Sequence, residues 1–294
     1  MNSYRIVVGV DGAEPGWWAL AWAADEAAAT GGRLLVCRVY GSRGPVPVTA
    51  PRPPTARPPT ATLELADPVL VRHVSAVRDR LGADLVDLAA PVGDPGPQLV
   101  DAGGDLLVVG APGARPSTAR WVAAHARCPV VVVRPLGGPN GPFAGHIVVG
   151  VDGGEPAGAA LAFGFRYATR HGLPLAAIHA AGAHHDAAPG DVWVDDRFAE
   201  THLEPPPAGL TLLDAEVEPQ IRDHPRVAVR RAVHRGDAVP ALLRAAAGAR
   251  LLVVGDRGRG AAARVLLGSV SQGVVARAVG PVAVVHAGPH GHLC

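Results

Sequence analysis

The chain contains two copies of one sequence unit, and this repeat constrains the fold more than any other feature. The segment YRIVVGVDG at 4–12 recurs as GHIVVGVDG at 145–153, and a Glu-Pro pair follows each copy closely. Further along, DLLVVG at 105–110 matches RLLVVG at 250–255. Between the copies lies PLGGPNGPFA at 135–144, which is full of helix and strand breakers. We therefore predict two similar domains, at 1–136 and 145–288.

Within each copy, short apolar runs alternate with segments of helical pattern. The predicted strands lie at 6–10, 34–39, 84–89, 106–109 and 130–133, and again at 146–151, 174–179, 227–233, 251–254 and 282–285. The predicted helices lie at 16–30, 70–81 and 98–102, and again at 158–170, 211–222, 239–247 and 270–279. This alternation is typical of an α/β fold with a parallel sheet covered on both faces. The Pro-rich loop 41–61 interrupts the first copy and adds nothing to a core.

Charge and hydropathy exclude several function classes. The net charge of +1 gives no footprint for nucleic acid or for an anionic membrane. No apolar run reaches membrane-spanning length, and the N-terminus begins a strand without a signal-peptide pattern. Three scattered cysteines cannot form a disulfide framework. We expect a cytoplasmic protein with no nucleic-acid or membrane partner.

The candidate ligand-binding residues are concentrated in the segment 251–286. Gly255 and Gly258 form a turn after a buried strand, and Gly268-Ser269 opens a helix before the last strand. Glycines let backbone N–H groups approach an anion, and a serine at a helix start adds a hydroxyl at the positive end of the dipole. This pattern favours phosphate binding. It is neither a P-loop, which needs Gly-Lys-Ser/Thr, nor the dinucleotide fingerprint, which needs a third glycine.

The spacing Gly-x2-Gly-x9-Gly-Ser at 255–269 resembles the nucleotide-binding signature of the universal stress protein family at every defined position. The resemblance covers both copies. It implies two tandem doubly wound domains of the adenine nucleotide alpha hydrolase-like type, each with a five-stranded parallel sheet of order 3-2-1-4-5. Strands 1 and 4 are neighbours in that order. The aspartate after strand 1, which is Asp11 or Asp152, would then face the same cleft as the glycine turn.

The resemblance also implies a site. In the family, the aspartate contacts the adenosine of ATP, a residue ending strand 2 lines the adenine pocket, and the glycine turn and helix start hold ribose and phosphates. Carried over by position, the site comprises Asp152, Ala180, Gly255, Arg257, Gly258, Gly268, Ser269, Val270 and Ser271. The implied cofactor is ATP, with Mg²⁺ held through its phosphates. As structural alternatives, Asp152 caps a turn and Ser269 caps a helix.

The two copies differ after the glycine turn. The segment from Gly113 to Cys128 is seven residues shorter than the segment from Gly258 to Gly280. We interpret the deletion as the loss of the Gly-Ser helix start. The first domain is therefore expected to have a degenerate nucleotide site, with a structural role or weak adenosine binding.

These features predict a stress-response regulatory protein that binds ATP, or another adenine nucleotide, in its second domain. We expect slow or no hydrolysis, because the sequence offers no base to activate water, no P-loop lysine and no paired metal-binding carboxylates. The alternative is an interaction scaffold with a vestigial site. A third candidate, an adenylate-forming or ATP-pyrophosphatase enzyme, lacks its Ser-Gly-Gly-x-Asp-Ser loop after strand 1.

Partners and metals complete the expectation. Family members pair through strand 5, so 130–133 and 282–285 are expected to pair in an intramolecular pseudo-dimer, with a homodimer of the chain as a further possibility. The histidines of 184–186 and of the tail, at 286–292, lie in an Ala/Gly-rich loop and a terminus without helical or hairpin spacing. We expect no metal site there.

Overall fold

The computed structural model describes residues 4–41, 67–111, 118–138, 140–182, 208–257 and 267–287, together with the backbone of 193–195. The Pro-rich loop, apart from its first residue, lies outside these ranges. Contacts divide the described chain into two compact units, the first ending at Arg134 and the second beginning at Pro135.

The first unit alternates strands and helices as predicted. Its elements are β1 (Arg5–Val10), α1 (Glu14–Thr30), β2 (Arg33–Arg38), α2 (Pro68–Leu81), β3 (Val86–Ala89), α3 (Pro95–Asp101), β4 (Leu106–Gly110), α4 (Thr118–His125) and β5 (Val130–Val133). All four strand pairings are parallel, in the order β3-β2-β1-β4-β5. The predicted order 3-2-1-4-5 is confirmed in this unit.

The second unit repeats this plan with one addition. Its elements are β6 (Ile147–Gly150), α5 (Glu155–His171), β7 (Leu175–Ala181), β8 (Trp193–Asp195), α6 (Ala208–Asp223), β9 (Val229–Arg235), α7 (Ala238–Ala245), β10 (Leu251–Gly255), α8 (Ser269–Arg277) and β11 (Val282–Val285). The parallel strands follow the order β9-β7-β6-β10-β11. The short strand β8, which we did not predict, pairs antiparallel with the outer edge of β9.

The central strands form the core of each unit. Every residue of β5 and β11 is buried, and so are the first four of β4 and β10. Strands buried on both faces read as continuous runs of valine and leucine, which is why the sequence revealed them. The helices α1 and α5 pack against the central strand pair. The buried residues of α1 are mainly alanine, whereas α5 also buries Leu161, Phe163, Phe165 and Tyr167.

Local signals set the helix ends. A proline stands in the first turn of α1 and of α5, where its missing N–H costs nothing. Gly31 and Gly172 end these helices in the left-handed conformation, each at φ 62°. The helix α8 ends at Arg277, two residues before the predicted end, because Ala278 is already extended at ψ 143°.

A glycine at the end of β10 lets the first turn of α5 approach the strand closely. A Cβ on Gly255 would lie 2.7 Å from Cβ of Pro156 and 2.8 Å from its carbonyl oxygen. We expect Gly255→Ala to lower the free energy of unfolding by ~1–3 kcal/mol because α5 must shift. The matched control is Gly158→Ala within α5, where nothing beyond the local helix backbone and the chain neighbours lies within 4 Å of the added carbon. It should be neutral or slightly stabilising in urea titrations, and equal losses for both variants would contradict this account.

Two thiols, one buried and one partly buried, predict how stability changes at alkaline pH. Burial raises the pKa of Cys37 to about 11 and, helped by the charge of Asp105, that of Cys128 to about 12. Unfolded thiols ionise near pH ~8.5, so above that pH the unfolded chain releases protons that the folded chain keeps. Stability should therefore fall as pH rises from 8.5 towards 11. Urea titrations of a Cys294→Ser background measure the fall, and adding Cys37→Ala and Cys128→Ala should flatten it.

Candidate functional site

The second unit carries a cleft at the carboxyl ends of β6, β7 and β10. It is an open groove with a volume of about 510 Å³, solvent at its mouth included, and is lined by residues from each of these edges and from the starts of α5, α7 and α8. Six of the nine predicted site residues line it: Asp152, Ala180, Gly255, Arg257, Val270 and Ser271. Because β6 pairs with both β7 and β10, residues far apart in sequence meet at this edge.

Asp152 follows β6 and shapes the turn into α5. Its Oδ1 accepts a hydrogen bond from the N–H of Gly154 at 2.9 Å, and Gly153 between them has a positive φ of 77°. The aspartate is therefore a turn cap, as the structural alternative proposed. It also lines the cleft and stays partly exposed, so capping and ligand contact are compatible.

Ala180 lies on the cleft wall near the end of β7, two residues after Ile178, which lines the same wall. The intervening His179 does not line the cleft. Its Nδ1 lies 2.8 Å from the carbonyl oxygen of Val151, and since a carbonyl can only accept, Nδ1 carries the proton. This bond fixes the ends of β6 and β7 against each other.

The turn after β10 contains an ion pair with one buried and one partly exposed partner. Arg257 lines the cleft with a side chain 32% exposed, whereas the Asp256 side chain is 4% exposed. The Nε of Arg257 donates to Asp256 Oδ2 at 3.1 Å, and in the part of the chain that the structure describes no donor reaches Asp256 Oδ1. The arginine that faces the cleft is thus already paired. Gly258, the next predicted site residue, lies outside the described residues.

The start of α8 is tied to the end of β10. The N–H of Gly268 donates to the carbonyl of Asp256 at 2.7 Å, and the buried Ser271 hydroxyl donates to the carbonyl of Gly255 at 2.6 Å. Gly268 is the residue before the helix and Ser269 its exposed first residue, and neither belongs to the cleft lining. These two bonds hold the first turn of α8, with its open N–H groups, beside the glycine turn.

Sequence reasoning missed the apolar wall of the cleft. Leu242 and Ala238 of α7 line it together with Ile178 and Val254. A Gly-Asp pair at 236–237 precedes this helix, and the same pair recurs at 93–94 before the equivalent helix of the first unit. This repeated helix start is the sequence signal that could have located the wall.

The first unit has a corresponding cleft of about 480 Å³, which includes Asp11, Gly110 and Thr118. Our interpretation of the deletion is wrong in one respect. In the first unit Gly110 pairs with Val133 of β5, and in the second Gly255 pairs with Val285 of β11. Thr118 precedes Val133 by the same number of residues as Val270 precedes Val285. Thr118 of α4 and Val270 of α8 are therefore equivalent positions. The helix is therefore kept, and the seven missing residues lie before the position shared by Thr118 and Val270, in 111–117 against 256–269.

Within the described ranges, no group of three or more His, Cys, Asp or Glu side chains could hold a metal ion. The histidines at 184–185 and in the tail beyond 287 lie outside these ranges. None of the described helices combines the length and the apolar character needed to cross a membrane.

Comparisons with known proteins agree with the repeat and the fold. The sequence pattern of the universal stress protein family matches residues 3–134 and 144–286. A universal stress protein of Mycolicibacterium smegmatis is 29% identical over 97% of both chains. Universal stress protein Rv2623 of Mycobacterium tuberculosis is 30% identical over 96% of both chains.

A solved structure extends the likeness to three dimensions. The crystal structure of a universal stress protein from Archaeoglobus fulgidus superposes with a TM-score of 0.62 at 17% identity and covers 97% of each chain. At this identity the likeness establishes the fold alone. Two family matches that together span most of the sequence identify the chain itself: it belongs to the universal stress protein family.

Proposed function

We propose that the second unit binds ATP, or another adenine nucleotide, and that the chain acts as a regulatory binding protein of the cytoplasmic stress response. One observation carries the proposal: six residues implied by the family signature, drawn from four separate segments, line a single cleft.

Each part of an adenine nucleotide has a suitable counterpart. Ile178, Leu242 and Val254 offer an apolar wall for the flat base, and the Asp152 carboxylate offers acceptors for ribose hydroxyls. The first turn of α8 offers N–H groups and the positive end of its dipole to the phosphates. Arg257 supplies the cation. Mg²⁺ would enter with the phosphates it neutralises.

The cleft favours binding with slow or no hydrolysis. The chain contains no lysine, so no P-loop lysine can polarise a phosphate. Among the described residues that line the cleft, the one carboxylate is Asp152, and its Oδ1 is engaged by the N–H of Gly154 in the turn. The hydroxyl of Ser271 is engaged with the carbonyl of Gly255. Nucleotide binding is then suited to favouring one conformation over another, as in a switch.

Calorimetric titration of the chain with MgATP tests the proposal. We expect one site per chain. Ser269→Asp should weaken binding at least ~tenfold by placing a negative charge at the phosphate end of α8, although an acidic residue there favours the helix itself. Asp152→Asn should weaken binding too, while its amide oxygen still caps the turn.

The matched control is Thr211→Asp, which adds the same charge near the start of α6, at an exposed position that does not line the cleft. It should leave ATP affinity unchanged. Absence of heat with a folded chain at millimolar ATP would instead favour the scaffold alternative.

The pair of Asp256 and Arg257 gives a second prediction. Because Asp256 holds the arginine and adds a negative charge beside the phosphate end, Asp256→Ala should tighten ATP binding by ~3- to 10-fold. Alanine is the residue at the equivalent position of the first unit, Ala111. The gain should vanish in an Arg257→Ala background, and an equal gain in both backgrounds would show that the pair does not limit affinity.

A further inference from the structure

The apolar wall of the second cleft is carried by a short helix with few anchors of its own. Helix α7 has eight residues and lines the cleft through Ala238 and Leu242. Its buried residues are Ala241, Leu242 and Ala245, so one large side chain holds it to the sheet. The residue before it, Asp237, makes no side-chain hydrogen bond to the helix start. A helix this short is stable mainly through its contacts with the rest of the fold.

A hydrogen bond between α7 and strand β9 supplies such a contact. The Nη2 atom of Arg244 lies 2.9 Å from Nε2 of His234. Because a guanidinium can only donate, Nε2 accepts, and the neutral imidazole carries its proton on Nδ1. His234 is 3% exposed, whereas Arg244 is an exposed residue of the helix that reaches inward to it.

His234 lies beside the second cleft without lining it. In the parallel pairing of β7 with β9 its partner is Ala180, and paired residues project from the same face of a sheet. Ala180 lines the cleft, whereas His234 and Arg244 do not. The bond therefore ties the helix that carries Leu242 to the strand next to the one that carries Ala180.

The first unit secures the equivalent helix in a different way. Counting from the shared Gly-Asp pair, Pro91 and Asp101 stand at the positions of His234 and Arg244 and cannot form this bond. There Asp94 caps α3, since its Oδ1 accepts the N–H of Gly96 at 3.3 Å. A cap at the helix start in the first unit is thus replaced by a side-chain bond near the helix end in the second.

We propose that His234 is a positioning residue for the second cleft: through Arg244 it holds α7 where Leu242 forms the apolar wall for the base. The inference rests on the proposed nucleotide function of this cleft. Since His234 does not line the cleft, it acts on affinity through α7 and not by contact with the ligand. Loss of the bond loosens the wall and leaves the phosphate end, at the start of α8, unchanged.

Calorimetric titration of the complete chain with MgADP and MgATP tests this role. His234→Leu keeps a buried apolar side chain but cannot accept the bond, and it should weaken both nucleotides by the same factor, ~3- to 10-fold. His234→Gln, whose amide oxygen can accept from Arg244, should restore most of the affinity. A merely destabilised chain would lose binding sites instead of affinity, so the fitted stoichiometry separates the two effects.

The matched control is Arg277→Met in α8. Its Nε bonds to the carbonyl of Gly273 in the same helix and ties no helix to a strand. This variant should leave the affinity for both nucleotides unchanged.

Double-mutant cycles identify the route through the helix. Leu242→Ala removes the wall side chain itself, so adding His234→Leu should cost little further affinity. Arg244 is exposed, so Arg244→Met should fold even if His234→Leu does not, and it should reproduce the loss. The losses from Arg244→Met and His234→Leu should not add. Additive losses in either pair would overturn the inference, and so would equal losses for His234→Gln and His234→Leu.

Hydrogen exchange of the ligand-free chain separates this inference from the proposed function. His234→Leu should raise the exchange rates of the α7 amides ~fivefold and leave those of α5 unchanged. If these rates rise but no nucleotide binds, the bond holds the helix and the proposed function alone fails. If nucleotides bind but the α7 amides do not respond to His234→Leu, the positioning role is wrong.

Discussion

The close approach of a helix to the last glycine of a strand organises both units. A Cβ on Gly110 would lie 1.9 Å from the carbonyl oxygen of Pro15, and one on Gly255 would lie 2.8 Å from that of Pro156. Only glycine permits this contact without displacing the helix. The contact brings the aspartate turn after the first strand next to the glycine turn after the fourth. The cleft between them is a consequence of backbone packing, which explains why both units have one although their lining charges differ.

The strands of the fold were predicted well because each core strand is recognisable from its own run of apolar residues. Runs such as VVVV at 130–133 are buried on both faces, so no partner needs to be known to recognise them. The strand order was predicted on other grounds. It came from the family resemblance and not from the periodicity of the sequence. The short strand β8 depends on pairing with β9 across a long insertion, and no local pattern indicates such a pairing.

Site residues that directly follow a strand could be predicted from the sequence. Site residues contributed by helices, and the pairing of charges within the site, could not. Asp152 and Gly255 stand directly beyond apolar runs, so an edge of the sheet locates them. Leu242 contributes a wall from a helix whose orientation no sequence pattern fixes. The deletion was misread because we counted forward from Gly113. The strand β5 is a better reference point for aligning the two copies, because the hydrogen-bonded register of a strand defines equivalent residues more firmly than the length of a loop does.

The positive charge of Arg257 in the second cleft is partly neutralised by a neighbouring carboxylate. Arg257 already donates to a carboxylate that is almost fully buried, and that carboxylate keeps one oxygen without a donor among the described residues. Among the described residues Asp256 engages Nε of Arg257, so a phosphate can still bind the terminal NH2 groups of the same guanidinium. The two anions would then share one cation and repel each other, which lowers affinity. Under the proposed function, such reversible binding suits a protein that responds to changing nucleotide levels more than one that retains its ligand.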